Sequence, residues 1–247
     1  MSRAARKMHT AAAGYNLLQH PSVVGALTAQ KLTALKSKRI LFGHQSVGAN
    51  MVDGVLALYS SYGVSPSITQ IDASQINATS GGFFADFYVG VNGDPVGKTA
   101  DFNTTVRQYS AKLDFALMKF CFVDIVSGIN VTQVFNAYRS VMDGLVADFP
   151  AIKFVYTTAA LDEYDIDNAV TREQLNTLIR NQYASTGRLF DLAAVESTRP
   201  NSTRVSGTSG GNTYYQLYDS YSSDGGHLNA TGQQVLDVAL FTLLANL

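Results

Sequence analysis

The sequence is poor in cysteine and in charge, and it lacks a long apolar run. Among 247 residues there is one cysteine, Cys121, which excludes an intrachain disulfide and a cysteine-based zinc site. Charged residues make up 15% and the net charge is −1, so we predict no nucleic-acid partner. No run of about eighteen apolar residues occurs, so we predict no membrane span.

The few charges are unevenly distributed. Seven of the 18 basic side chains, and none of the 19 acidic ones, lie within residues 1–39. We interpret residues 1–38 as a basic, helical and solvated lead-in, with contact to an anionic surface or to the acidic remainder as the alternatives. Residues 1–14 lack the apolar block of a secretory signal. Low charge and abundant Tyr, Ser, Thr and Asn favour a secreted or periplasmic enzyme whose signal is absent from this sequence.

The remainder, residues 39–247, is predicted to be one α/β domain. Hydrophobic residues amount to 46%, enough for a sizeable core. Apolar runs alternate with segments of helical periodicity, and this order predicts a three-layer α/β/α sandwich around a flavodoxin-like parallel sheet. About five strands are expected, at 39–43, 67–71, 115–123, 151–157 and 189–193. Thr171 and Gln174 form a capping-box pattern that predicts a helix start.

A serine follows the first predicted strand directly. The strand ends in Gly43-His44-Gln45-Ser46 and a helical pattern begins at once. Sites in parallel sheets form at the carboxyl ends of the strands, and helix N-terminal N–H groups favour a developing oxyanion there. The alternative is that Ser46 is an ordinary helix N-cap.

A second pattern lies near the C-terminus, in Asp224-Gly225-Gly226-His227. An aspartate three residues before a histidine in a glycine-rich turn can place its carboxylate beside the imidazole. The carboxylate then fixes the tautomer and stabilises the imidazolium that forms when the histidine takes a proton from serine. The alternative is a loop whose Asp and His only cap the last helix.

Together the two patterns resemble the SGNH (GDSL-like) hydrolase family over about residues 39–245. The resemblance implies an ester hydrolase with Ser46 as nucleophile, His227 as base and Asp224 as orienting acid. Asn92-Gly93-Asp94 resembles the second sequence block of the family. The resemblance therefore implies that the N–H groups of Gly93 and Ser46 form the oxyanion hole.

The third block departs from the family. Its Gly-x-Asn-Asp is replaced by Cys121-Phe122-Val123-Asp124, and valine cannot donate the hydrogen bond that the asparagine makes. We therefore expect a substitute donor, either Asn92 or Lys119. A structural ion pair with a carboxylate is the alternative role for Lys119, because burying an unpaired lysine is costly.

Other residues near these patterns have two interpretations each. His44 and Gln45 are predicted to hold the serine loop or to contact substrate, with a second base as the alternative for His44. Tyr218 is predicted to stack on a sugar ring or to pack its loop, as are Tyr214 and Tyr215. Cys121 is interpreted as a buried hydrophobe rather than a nucleophile. An acidic cluster is interpreted as a solvated loop rather than a cation site: Asp162, Glu163, Asp165 and Asp167.

The expected activity is hydrolysis of carboxylic esters through an acyl-serine intermediate, with neither metal nor organic cofactor. The partner is a small-molecule or carbohydrate ester, and short acyl groups such as acetyl are favoured because no long apolar lid is present. The alternatives are a lipase or polyester-cleaving enzyme, and a non-catalytic carbohydrate-binding protein of the same fold.

Overall fold

The computed structural model describes residues 26–247, so most of the basic lead-in lies outside the described residues. Seven α-helices are formed within this part: α1 Ala29–Leu35, α2 Val47–Ser61, α3 Pro95–Tyr109, α4 Val131–Asp148, α5 Ile166–Tyr183, α6 Leu192–Ser197 and α7 Ala230–Asn246. The strands are β1 Arg39–His44, β2 Gln70–Asp72, β3 Phe83–Tyr88, β4 Phe115–Met118, β5 Lys153–Thr157, β6 Leu189–Phe190, β7 Ser206–Ser209 and β8 Asn212–Tyr215.

Six strands form one parallel sheet in the order β2-β3-β1-β4-β5-β6. The predicted single α/β domain with a parallel sheet is confirmed. The prediction of about five strands missed β3, whose sequence Phe-Phe-Ala-Asp-Phe-Tyr contains an aspartate among its aromatic residues. With β3 counted, the five strands in the order β3-β1-β4-β5-β6 have the flavodoxin-like arrangement. β2 is an additional strand at the edge of the sheet.

The alternation of side chains along β1 divides the core between two faces. Ile40 and Phe42 pack with α1, α2 and α7 on one side, whereas Leu41 packs with α3, α4 and α5 on the other. Gly48 allows α2 to lie directly on β1, since a Cβ there would come within 2.3 Å of the Cβ of His44. Because β1 is central, the chain that leaves it emerges in the middle of the carboxyl edge of the sheet.

Several predicted boundaries are wrong. β4 ends at Met118 rather than at 123, so Lys119 follows the strand instead of lying within it. The helix predicted to begin at Thr171 begins at Ile166, because Asp165 caps it by accepting a hydrogen bond from the N–H of Asn168. The strand expected at 189–193 is only two residues long. Tyr214 and Tyr215, expected in a loop, lie in the β7–β8 hairpin.

The described end of the lead-in packs against the domain. Leu32 and Leu35 of α1 are buried in the same core as α7, and Lys31 donates a hydrogen bond of 2.8 Å to the side chain of Asn246. No helix within residues 26–247 is long and apolar enough to cross a membrane.

Candidate active site

Ser46 occupies a sharp turn between β1 and α2. Its φ of 50° and ψ of −113° are unusual for a residue other than glycine, and such conformations cost about 1–3 kcal/mol. Although Ser46 stands at the N-cap position of α2, its side chain makes no capping hydrogen bond. The Oγ atom instead lies 2.7 Å from Nε2 of His227. The turn thus presents the hydroxyl to the imidazole and not to its own helix.

The loop from Asp224 to His227 brings a carboxylate and an imidazole together. Asp224 Oδ1 accepts from the N–H of Gly226 at 3.0 Å and of His227 at 2.8 Å, and Oδ2 lies 2.8 Å from His227 Nδ1. These two backbone donors, together with the imidazole, hold the pKa of Asp224 well below its usual range. If Nδ1 carries the proton that Asp224 accepts, Nε2 is left as the acceptor for Ser46.

Neighbouring side chains fix this loop in place. Asn50 on α2 accepts from the N–H of Leu228 at 3.1 Å, and the Tyr164 hydroxyl donates to the carbonyl of Asp224. The ring of Phe122 lies edge-on to His227, with 6.0 Å between centroids. A Cβ at Gly226 would lie 2.9 Å from that ring, so glycine permits the contact. No local sequence pattern had pointed to these three supporting side chains.

The serine turn and the loop after β3 differ in the donors they offer to an oxyanion. Among the described residues the N–H of Ser46 has no acceptor. The N–H of Gly93 donates to Asp124 Oδ1 at 2.8 Å, so this predicted oxyanion donor is already paired. The side chain of Asn92 accepts from Lys98 Nζ at 2.7 Å through Oδ1, which leaves its Nδ2 as a donor.

His44 and Gln45, next to the serine turn, contact β3 and the loop that follows it. His44 is 1% exposed and its Nε2 lies 3.2 Å from Asp86 Oδ2, so it does not border the site opening. Burial lowers the pKa of His44, although Asp86 opposes this shift. Gln45 Nε2 donates to the carbonyl of Gly90 at 2.9 Å and thereby ties the turn to the loop after β3.

Lys119 is also buried, and its ammonium lies 3.1 Å from Sγ of Cys121. Within residues 26–247 no carboxylate oxygen comes within ion-pair distance of this lysine, so the predicted ion pair is not formed. The buried position also argues against Lys119 as the substitute oxyanion donor. Cys121 is fully buried, as expected for a small hydrophobe.

Tyr218 lines a cleft of about 300 Å³ with Glu163, Arg199, Gln216 and Asp219. Glu163 connects this cleft to the histidine loop, since its N–H donates to the carbonyl of Gly225 at 2.9 Å. The guanidinium of Arg199 lies 5.8 Å from the centre of the Tyr218 ring. The other two predicted tyrosines are on β8 in the hairpin, and Tyr215 stacks against Arg204.

The acidic cluster after β5 is not a uniformly solvated loop. Asp162 is buried in an ion pair with Arg172, and Asp165 caps α5. Only Glu163 and Asp167 remain exposed as acidic side chains without a cap or a buried pair. In the described part of the chain, no group of three or more His, Cys, Asp or Glu side chains is arranged to hold a metal ion.

No protein-family model matches the sequence, and no curated protein matches it. Solved structures do match. A proposed acylhydrolase from Bacteroides fragilis superposes with a TM-score of 0.52 at 15% identity, over 86% of this chain and 91% of its own. A proposed lipolytic protein of the G-D-S-L family from Desulfitobacterium hafniense superposes with a TM-score of 0.51 at 8% identity, over 83% of this chain and 99% of its own.

The chain has the SGNH-like hydrolase fold. The fold expected from the resemblance is thereby confirmed. At these identities the likeness concerns the fold alone, so the activity has to be argued from the site itself.

Proposed function

We propose that the protein is a serine-dependent carboxylic ester hydrolase with Ser46 as nucleophile, His227 as general base and Asp224 as the acid that orients it. The observation that carries this proposal is the continuous contact from Asp224 Oδ2 to His227 Nδ1 at 2.8 Å and from His227 Nε2 to Ser46 Oγ at 2.7 Å. Both separations are hydrogen-bond distances, and the second allows the Ser46 proton to pass directly to His227.

The reaction proceeds in two halves. Ser46 Oγ attacks the ester carbonyl carbon while its proton moves to His227 Nε2, and the carbonyl oxygen becomes an oxyanion. Collapse of this intermediate breaks the bond to the alkoxy group, which leaves as the alcohol with the proton from His227. Water then attacks the acyl-serine, gives a proton to His227, and releases the carboxylic acid as the Ser46 hydroxyl is restored.

We infer short acyl esters of carbohydrate, acetyl above all, as the substrate class. The cleft beside the histidine loop supports this, since its lining combines an aromatic ring, Tyr218, with hydrogen-bonding groups of Arg199 and Gln216. Sugars are bound by such combinations of aromatic faces and polar groups. A non-catalytic binding protein would need neither the strained turn at Ser46 nor the aligned imidazole.

A second candidate, an enzyme that cleaves lipid or polyester, is favoured by an apolar rim. Seven of the eight large apolar side chains exposed in the described part of the chain lie in or next to loops at the carboxyl edge of the sheet. These residues, the apolar rim, are Tyr88, Val91, Val96, Val123, Val126, Tyr164 and Ile166. Clustered exposed apolar groups mark binding surfaces, and this cluster adjoins the loops around Ser46.

The experiment that tests the activity compares Ser46→Ala with Ser223→Ala, an exposed serine one residue before Asp224. We expect hydrolysis of p-nitrophenyl acetate to fall by about a million-fold in Ser46→Ala, as when a serine nucleophile is removed elsewhere, and to be unchanged in Ser223→Ala. A fluorophosphonate should label Ser46 in the wild type. Labelling of a different residue, or turnover of Ser46→Ala within tenfold of wild type, would falsify the proposal.

A chain-length series separates the two substrate classes. If short acyl groups are preferred, kcat/KM falls from acetate to octanoate and acetylated xylan is deacetylated. If the apolar rim binds substrate, kcat/KM rises with chain length, and Val91→Ser weakens that trend. Leu56→Ser is the matched control, because Leu56 is similarly exposed but lies on α2 outside the rim.

A further inference from the structure

Lys98 on α3 places an ammonium group in the interior next to the proposed site. The side chain is fully buried, and Nζ donates to Asp124 Oδ2 at 2.6 Å and to Asn92 Oδ1 at 2.7 Å. Lysine is rarely buried without partners, because removing its charge from water is costly. Both partners of Lys98 belong to the loops that follow β3 and β4, the two neighbours of β1 in the sheet.

Asp124 joins these two loops. Its Oδ1 accepts from the N–H of Gly93, and its Oδ2 accepts from the N–H of Cys121 at 2.7 Å as well as from Lys98. The carboxylate thus connects the loop on one side of Ser46 to the loop on the other. It also uses the N–H of Gly93, which then has no free hydrogen for an oxyanion.

The contact with Lys98 fixes which way the amide of Asn92 faces. An ammonium group has only donors, so the amide must turn its oxygen toward Lys98 and its Nδ2 away. The side chain of Asn92 is exposed, and no acceptor for Nδ2 exists among the described residues. A cation on the amide oxygen also polarises the group and strengthens its N–H donors.

The segment carrying Asn92 begins beside the nucleophile. The N–H of Val89 donates to the carbonyl of His44 at 3.0 Å, and Gln45 holds the carbonyl of Gly90. In the segment after β4, on the other side of Ser46, Val123 has no side-chain donor. The side-chain amide donor next to Ser46 is therefore Nδ2 of Asn92, in the loop after β3.

We infer that Lys98 is a positioning residue that directs Asn92 Nδ2 to the oxyanion, where it acts together with the N–H of Ser46. This inference rests on the proposed function, since it assumes an acyl-serine reaction at Ser46. A hydrogen bond of this kind strengthens as charge develops on the oxygen, so its loss lowers kcat and leaves KM nearly unchanged.

The test measures kcat and KM for p-nitrophenyl acetate in Asn92→Ala, Asn92→Asp, Lys98→Met and the double variant Lys98→Met/Asn92→Ala. Asn92→Asp keeps an acceptor for Lys98 but has no N–H, so the buried pair retains its partners while the donor is lost. We expect kcat to fall about a hundredfold in each single variant with KM changed by less than about threefold. The surface variant Lys112→Met is the control and should match wild type.

The double variant decides whether Lys98 acts through Asn92. If it does, adding Lys98→Met to Asn92→Ala lowers kcat by no more than about threefold, since the donor to be positioned is already gone. A full additional hundredfold loss would overturn the inference, as would wild-type kcat in both Asn92 variants. If Ser46→Ala is inactive while the Asn92 variants are fully active, only this inference fails. If Ser46→Ala is active, the proposed function fails.

Discussion

Two carboxylates at the same edge of the sheet form similar contacts in opposite surroundings. Asp224 pairs with His227 at 2.8 Å while about half of each side chain is exposed, at 55% and 48%. Asp124 pairs with Lys98 at 2.6 Å with neither side chain exposed. Each carboxylate also accepts two backbone N–H bonds. The two pairs therefore differ mainly in burial and in how much of the chain is needed to build them.

This difference in burial predicts different effects on activity and on stability when either pair is removed. Even a fully charged pair that is half exposed contributes only about 0–1 kcal/mol to stability, so the contact of Asp224 with His227 adds little to folding. Removing one partner of a buried pair leaves an uncompensated charge and costs about 3–5 kcal/mol. We therefore expect variants of the exposed pair to lose activity, and variants of Asp124 to lose stability as well.

The largest effect is expected at His227. His227→Ala should lower kcat/KM by about a million-fold, because no other base contacts Ser46 Oγ within the described part of the chain. His44→Ala should keep activity within about tenfold, since His44 is buried against Asp86. Steady-state kinetics of the two variants provide the measurement, and the reverse pattern would identify His44 as the base.

Asp224 is expected to show the next largest effect. Asp224→Asn is expected to lower kcat about ten-thousand-fold, because an amide favours the wrong tautomer of His227. The melting temperature should stay within about 2 °C of wild type, since both side chains are about half exposed and such pairs add little stability. Asp167→Asn, at an exposed aspartate on α5, serves as the control. Equal activity in the two variants would refute the role of Asp224.

The buried pair is tested against a surface pair of the same length. Asp124→Ala should lower the free energy of unfolding by about 3–5 kcal/mol, because Lys98 is left buried without its counter-charge. Asp148 also pairs at 2.6 Å, with Arg107, but both side chains are about half exposed. Asp148→Ala should therefore cost less than about 1 kcal/mol. Denaturant titration measures both, and similar losses would contradict the comparison.

The smallest effect, counted per pH unit, concerns Asp237, a buried carboxyl on α7 whose two oxygens accept no hydrogen bond from the described residues. Burial raises the pKa of Asp237 well above its usual range. Below about pH 4, where an unfolded aspartate is also protonated, its contribution to stability is fully present. As the pH rises from there through the folded pKa, stability is lost by up to about 1.4 kcal/mol per pH unit.

Asp237→Asn should flatten this pH dependence, because the amide does not ionise in either state. Thermal unfolding between pH 5 and pH 9 measures the slope. Glu196, whose pKa burial raises to about 8, adds a dependence of the same sign, so some slope should remain in the variant. An unchanged slope would show that Asp237 is ionised in the folded protein.

The candidate site residues that could be predicted from the sequence are those that belong to local patterns of neighbouring residues. Asp224 and His227 meet within one turn, and Ser46 follows a strand and precedes a helix, so spacing and order along the chain were sufficient to nominate them. The parallel α/β fold was predictable for the same reason, because alternating hydrophobic periodicity is a local property. Strand β3 could not be recognised in this way, since Asp86 interrupts its apolar pattern.

Only the tertiary structure decided which groups surround these residues. Lys98 and Asp124 are 26 positions apart and meet because α3 begins at the carboxyl edge of the sheet, where the loop after β4 also lies. The same packing buries His44 and Lys119, pairs the N–H of Gly93, and turns the amide of Asn92. A hydrogen bond between distant segments depends on backbone paths that no local pattern encodes. The sequence by itself therefore predicted the proposed reacting groups, and the fold determined which residues support them.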